Sequence, residues 1–548
     1  MKRVFQGLLF ATLAISGFHL HAQEGGEQGI TILQSGVDEL YSDLKMVLET
    51  SGDDKSWKKL SDYMDGFVIG TNRKAPIVGR IQLSKENNGN TSFKQLWQFP
   101  LDPAQKDAFL KNINNLDVKT KEVRGQMGLY RVSGAFSGYM RIIEDHACFA
   151  EDRDGLEKTF VPASKLASLK GQDADITVSI LSDIAGQSDR KQAMDEASKN
   201  LLAEIVAKKG EDPERFKLRK KWVEQQMEEM TRFYVEAARI HLNWFTKVPE
   251  KNASLHLELQ ALAGTPLAGS VDELGKVAGT FSGVPHAEDQ PLSLHVNFPL
   301  DQLRQDNIRE MAQLAHPIAL KEIGEDKELS DSQKKHATTV SNVMNDIVEE
   351  VVKAKVLDTF VNVTGTDKQV AVGGLKLNGA AIRASLEKHK GDAEVKFDIE
   401  KVGDVAIHSI KIPADQAELL DVFGKDAVFH LATGQNAIWY SIGEGGTAAL
   451  KQAIEQSAKP ADKPLAPILM HGKVSKLATL VDKFQSRKKK GDATQRKAIV
   501  DAINSADDKL AFSMTRDADK VVIDAKFNEG LIKAAGKIIA KQVKELPD

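Results

Sequence analysis

The sequence predicts an α+β protein of two duplicated modules, each a mainly antiparallel sheet with helices on one face and long helical-hairpin insertions. Three observations point there. Short runs of alternating apolar and polar residues recur in hairpin-sized pairs, as in Gly138–Ile143 and Ala147–Ala150 around the turn Glu144-Asp145-His146. Between such pairs lie stretches with apolar residues three and four apart, the period of a one-faced helix. Similar segments also return in the same order in the two halves of the 548-residue chain.

The first 22 residues read as a signal peptide. Lys2 and Arg3 precede an apolar run from Val4 to Phe18, and Ala22 is a small residue before a cut. Removing Lys2 and Arg3 takes the formal charge from -4 to -6. No cysteine follows the run to carry a lipid, and no later apolar stretch is long enough to cross a membrane. The expected location is secreted or periplasmic, with no transmembrane segment in the mature chain.

Composition narrows the class. Apolar residues make up 41% and charged residues 28%, which excludes wholesale disorder. Lys+Arg 74 against Asp+Glu 78 argues against nucleic acid as a partner. The one cysteine, Cys148, excludes an intramolecular disulfide framework and cysteine-rich metal centres. It lies in the alternating run Ala-Cys-Phe-Ala, where a free cysteine is expected to be buried.

The two modules are placed at 23–281 and 282–548. Met64–Gly70 is matched with Leu357–Val363, and Gly138–Ala150 with Val428–Ser441. Ile176–Ile180 is matched with Ile468–Gly472, and the segment from Leu274 with that from Leu531. Asp102 and Asn378 are equivalent helix N-caps. The first module carries a helical arm at about 183–249, with an apolar seam through Val223, Met227, Met230, Tyr234, Ala237, His241 and Trp244. The second carries arms at about 302–356 and 475–505. A shorter hairpin is expected around 31–64. The arms should project from the sheets and expose charged ends.

The leader, the stretch Trp57…Asp65-Gly-Phe-Val-Ile-Gly and the strand pair Gly138-Tyr-Met-Arg…Cys148-Phe-Ala-Glu-Asp resemble secreted bacterial proteins of planctomycete type. The likeness lies mainly in the first module. No activity is known for that group, so it implies export and no functional residue.

Motifs that carry chemistry are few. Gly443-Glu-Gly445-Gly446-Thr-Ala448 fits the spacing of a dinucleotide-binding loop, but its strand reads as half of a hairpin and no acidic ribose ligand follows. It is read as a glycine-eased turn into a helix. Asp152-x-Asp154-Gly155 is a fragment of a calcium loop without its later ligands, and is read as an acidic turn. The histidines are scattered without zinc-ligand spacing, and His241 is read as a packing residue. No G-x-S-x-G elbow occurs. No catalytic residue, cofactor or metal is assigned.

Charge supplies the candidate binding residues. Arg219, Lys220 and Lys221 lie toward one arm tip, and Arg487, Lys488, Lys489 and Lys490 at another. Lys533, Lys537, Lys541 and Lys544 give the last helix a basic face. Such clusters suit an anionic envelope component or another envelope protein. The expected function is a secreted, non-enzymatic scaffold or binding protein of the cell envelope. The alternatives are a carrier of an apolar ligand such as lipid, and an enzyme of unrecognised type.

Overall fold

The computed structural model describes residues 29–544, apart from 67, 86–90, 116–117, 135–136, 154, 159, 161–173, 182–186, 328, 366–367, 391–393, 413–416, 460–465 and 477–492. The leader and Arg487 to Lys490 therefore lie outside the described residues.

The described strands form one continuous antiparallel sheet. From one edge it runs β4 (Val118–Glu122), β5 (Leu129–Gly134), β6 (Gly138–Ile143), β7 (His146–Ala150) and β3 (Thr91–Pro100). It continues through β2 (Ile77–Lys85), β1 (Gly29–Gln34), β8 (Ile176–Leu181), β9 (Ala237–Lys247) and β10 (Asn252–Ala261). There β10 pairs with β20 (Lys520–Phe527). Beyond it lie β19 (Lys509–Asp517), β18 (Ile468–Lys473), β11 (Leu292–Pro299), β12 (Val356–Thr364) and β13 (Val370–Lys376). The far edge is β17 (Ala437–Gly443), β16 (Val428–Thr433), β15 (Val405–Lys411) and β14 (Val395–Val402). Read outward from the β10–β20 junction, both sides of the sheet have the same strand order.

The helices of the first side are α1 (Val37–Thr50), α2 (Asp54–Asp65), α3 (Lys106–Asn115), α4 (Gly155–Lys158), α5 (Gln187–Glu204), α6 (Pro213–Glu236) and α7 (Pro266–Glu273). Those of the second are α8 (Gln302–Glu325), α9 (Asp331–Ala354), α10 (Gly379–His389), α11 (Ala417–Phe423), α12 (Gly446–Ser457), α13 (Ala493–Asn504) and α14 (Glu529–Lys544). Their starts follow local chemistry. Asp212 accepts the Glu214 N–H at 2.8 Å ahead of Pro213, and Asp301 accepts the Arg304 N–H at 3.0 Å. Ser330 and Gln333 form a reciprocal capping box at the start of α9. Asp102 caps the short turn before α3 through the Ala104 N–H, and Asn378 caps α10 through the Ala381 N–H.

Helices lie on both faces of the outer strands, not on one as the sequence suggested. Strand β17 reads Ala-Ile-Trp-Tyr-Ser-Ile-Gly, apolar at successive positions, so each face needs a cover. Ile438 packs with Val351, Ile382 and Leu386 from α9 and α10. Trp439 points the other way, against Leu450, Ala453 and Ile454 of α12. In the first half, Trp97 packs with Phe109 and Ile113 of α3, while Leu96 and Cys148 meet Leu156 of α4. Cys148 is free and buried, and burial pushes its thiol up to about 12.

The central strands behave differently, and this positions the cleft described below. Strand β10 alternates strictly: Leu257 and Leu259 face a core with Leu267 and Val271 of α7, while Ser254, His256 and Glu258 face the other side. Strand β20 does the same, with Val521 and Ile523 in that core and Asp524 and Lys526 opposite.

Two expectations about the repeat segments and arms are corrected. Helix α6 stops at Glu236, and Ala237, His241 and Trp244 lie on β9, where Arg239, His241 and Asn243 alternate with Ile240, Leu242 and Trp244. A period of two there overrides the helical period read across it. The match of Met64–Gly70 with Leu357–Val363 sets a helix end and turn against strand β12. The strand in the corresponding place is β2.

The arms do not stand apart. Helix α6 lies along α8 and their charges interlock: Lys321 with Asp212 at 2.7 Å, Lys221 with Glu310 at 3.0 Å, Arg304 with Glu229 at 3.0 Å and Arg232 with Asp301 at 2.8 Å. At the opposite end α14 packs on α1 and α2 through Ala540, Val543, Leu48 and Leu60. Gly536 permits that approach, because a Cβ there would clash with the Val47 carbonyl oxygen.

Candidate functional site

Among the described residues nothing covers the polar face of the central strands, which lines a cleft of about 490 Å³. The strand registers order its floor into two rows of neighbouring side chains. One row runs His471, Ala511, Lys526, Ser254 and Phe245 across β18, β19, β20, β10 and β9. The next runs Leu469, Ser513, Asp524 and His256. Both rows exist because directly paired residues share a face, and every second residue returns to it.

His471 is held by a chain of hydrogen bonds reaching back into the sheet. The Ser293 hydroxyl donates to Asn362 Oδ1 at 2.8 Å, which uses its only proton. It therefore accepts from the Ala287 N–H at 3.3 Å and from His286 Nδ1 at 3.0 Å, so His286 carries its proton on Nδ1. Burial, reinforced by the neighbouring His471, lowers the His286 pKa to about 4, leaving the ring neutral near pH 7. Its Nε2 is then an acceptor and bonds to His471 Nδ1, which must be the donor. His471 thus commits Nδ1 to the relay, and its ring, with Nε2 left out of those bonds, lines the cleft. His295, fully enclosed beside His286, is lowered to about 4 by burial and by that ring.

The second titratable pair sits on the other row. His256 Nδ1 lies 2.7 Å from Asp524 Oδ1, and its Nε2 is 3.5 Å from Glu258 Oε1. Burial works against the imidazolium, but bonding to Asp524 and Glu258 outweighs it and the His256 pKa is raised. Lys520 in turn holds Glu258 at 3.3 Å. Lys526 is exposed and has no ion-pair partner among the described residues.

The residues singled out from the sequence sit elsewhere. Arg219 forks onto Glu211, with Nε and Nη2 at 2.9 and 2.7 Å, and also donates to the Val206 carbonyl. Lys221 is shared between Glu310 and Glu224. Lys220 is half-buried on the same helix, without an ion pair among the described residues. Gly445, at φ 84°, is the N-cap of α12, and β17 pairs antiparallel with β13 and β16, so the loop is a turn within an antiparallel sheet. Asp152 accepts the Gly155 N–H at 2.7 Å, an acidic turn. His241 bonds through Nδ1 to Ser179 at 2.8 Å inside the sheet face. On the last helix, Lys544 pairs with Asp53 and Lys533 with Glu529.

Among the described residues no group of three or more His, Cys, Asp or Glu side chains is placed to hold a metal ion, and no helix is long and apolar enough to cross a membrane. Sequence reasoning missed His286, His471, His256 and Asp524. For His256 and Asp524 the signal available was the polar residue alternating with apolar ones on β10 and β20. Compared with known proteins, the chain matches no family model, no curated sequence and no solved structure.

Proposed function

We propose that the chain is an exported, non-enzymatic binding protein of the cell envelope, built by duplication of one α+β module, whose ligand occupies the cleft at the junction of the two modules. The observation that carries this reading is the convergence of His471, Lys526, Ser254 and the His256–Asp524 pair on the uncovered face at that junction. Ligand sites favour concave surfaces between modules, with a few placed polar groups and apolar walls. Phe245 and Leu469 supply the apolar surface.

Duplication is supported by the registers as well as by strand order. Ser179 lies opposite Thr31, and Thr31 opposite Arg80; at the matched positions His471 lies opposite Ser293, and Ser293 opposite Asn362. One strand further, Leu96 answers to Val372. Asp102 and Asn378 then fall equally far along the chain, where the sequence alone had paired them. Export rests on the composition of the leader. The cleft is favoured over the arm tips because Arg219 and Lys221 already face carboxylates. Its histidines, hydroxyls and ammonium favour a hydrophilic ligand over a lipid.

The test is native mass spectrometry of gently purified exported protein beside a Ser513→Trp variant, which fills the cleft floor. The proposal expects an added mass on the parent protein that denaturation removes and the variant lacks. A folded parent and a folded variant that shed the same mass on denaturation, or none, would refute it.

A further inference from the structure

Resting on the reading of the cleft as a binding site, we infer that its ligand is an acidic sugar, a hydroxyl-rich ring bearing a carboxylate. The groups along the first row are spaced and typed for such a molecule. His471 offers Nε2 to a ligand, because the bonds from Asn362 through Ser293 and His286 commit its Nδ1 to the relay. A ligand hydroxyl, which both donates and accepts, suits that nitrogen. Two strands away Lys526 offers an ammonium that no described carboxylate neutralises, and a carboxylate satisfies it.

Between them stands Ala511, whose methyl leaves the floor open over roughly two strand spacings, about 10 Å. One sugar ring with its carboxylate bridges that gap. Ser254 and Ser513 add hydroxyls that can donate or accept, and Asp524 has an oxygen beyond the one bonded to His256. The Phe245 ring ends the row and presents an apolar surface to the C–H face of a second ring. The cleft volume lies within the range of small-molecule sites and leaves room for that second ring. A neutral sugar would leave Lys526 without its counter-charge. A simple organic acid would leave His471 and the serines without hydroxyl partners.

The experiment is isothermal titration calorimetry on the full mature chain, using trigalacturonate and, as neutral comparator, maltotriose. Trigalacturonate is expected to bind roughly tenfold or more tightly than maltotriose, since a charge-assisted hydrogen bond is at stake. Lys526→Gln is expected to remove about that difference, while Lys220→Gln leaves it unchanged. Ser293→Ala is expected to weaken binding without touching the sugar, and to move the His471 ¹⁵N signals away from a single Nδ1–H tautomer. Equal binding of the two sugars, or trigalacturonate binding indifferent to Lys526→Gln, overturns the inference. Failure of both sugars to bind also overturns it. If the parent still carries a natively bound mass that the Ser513→Trp variant lacks, the cleft reading survives and only the sugar class falls; if it does not, both fall.

Discussion

His256 and Asp524 stand opposite one another on the two central strands, Nδ1 to Oδ1 at 2.7 Å, at the point where the two equal strand orders meet. Partners 268 positions apart thus form a charge pair in the middle of the cleft. Removing the carboxylate should release the His256 imidazolium. Asp524→Asn is expected to lower the His256 pKa, read by NMR titration of the ring protons. The stability change should stay within about 1 kcal/mol, because both side chains remain a third or more exposed and screened. An unchanged titration would separate the pair.

The α6–α8 seam contains one buried arginine. Arg232 is 6% exposed, donates to Asp301 at 2.8 Å and to Ser270 at 2.7 Å, and ties a helix of the first half to the N-cap of a helix of the second. Truncating Arg232 empties a buried site and removes its bonds to Asp301 and Ser270, while Arg304 still pairs with Asp301 at 2.8 Å. Arg232→Ala should cost about 3 kcal/mol in urea unfolding, and Lys321→Ala, at the exposed end of the seam, less than about 1 kcal/mol. Equal effects would contradict the distinction.

Asp43 on α1 has its pKa raised to about 8, first by burial and then by the neighbouring carboxylates of Asp175 and Glu39. An acid that titrates higher in the folded state than in the unfolded one stabilises the fold at low pH and loses that contribution as pH rises through 8. Asp43→Asn should therefore raise the melting temperature, by more at pH 9 than at pH 5. A pH-independent effect would argue against the carboxyl cluster.

His286 and His295 titrate near pH 4 in the fold, against 6.5 for a free ring. Between those values the unfolded chain binds more protons, so their contribution is complete above pH 6.5 and drains away as pH falls toward 4. Acid unfolding should begin in that window. His295→Phe, which keeps a ring in the buried site, should flatten the dependence. An identical acid profile for the variant would refute the assignment.

The sequence showed local features far better than distant ones. Asp102, Asn378, Asp212 and Asp301 are cap residues because their carbonyls and carboxylates act within three positions, and the first two were readable as caps. The outward polar residues of β10 stand in plain alternation. What no local pattern reveals is that β10 finds β20, or that α6 lies against α8 with Lys221 already paired. The relay behind His471 draws on Asn362, Ser293 and His286 from three separate segments, so scattered histidines in the chain became neighbours only in the fold. His241 was assigned to packing on a helical seam and packs instead on β9, because a period of two was read through as three and a half.

The measurement that tests the central claim most directly is hydrogen exchange by mass spectrometry, with and without an extract of envelope polymers. A ligand in the cleft predicts slowed exchange confined to strands 252–261, 468–473 and 509–527. Slowing along α6 and α8, with those strands unchanged, would contradict it and return the binding surface to the arms.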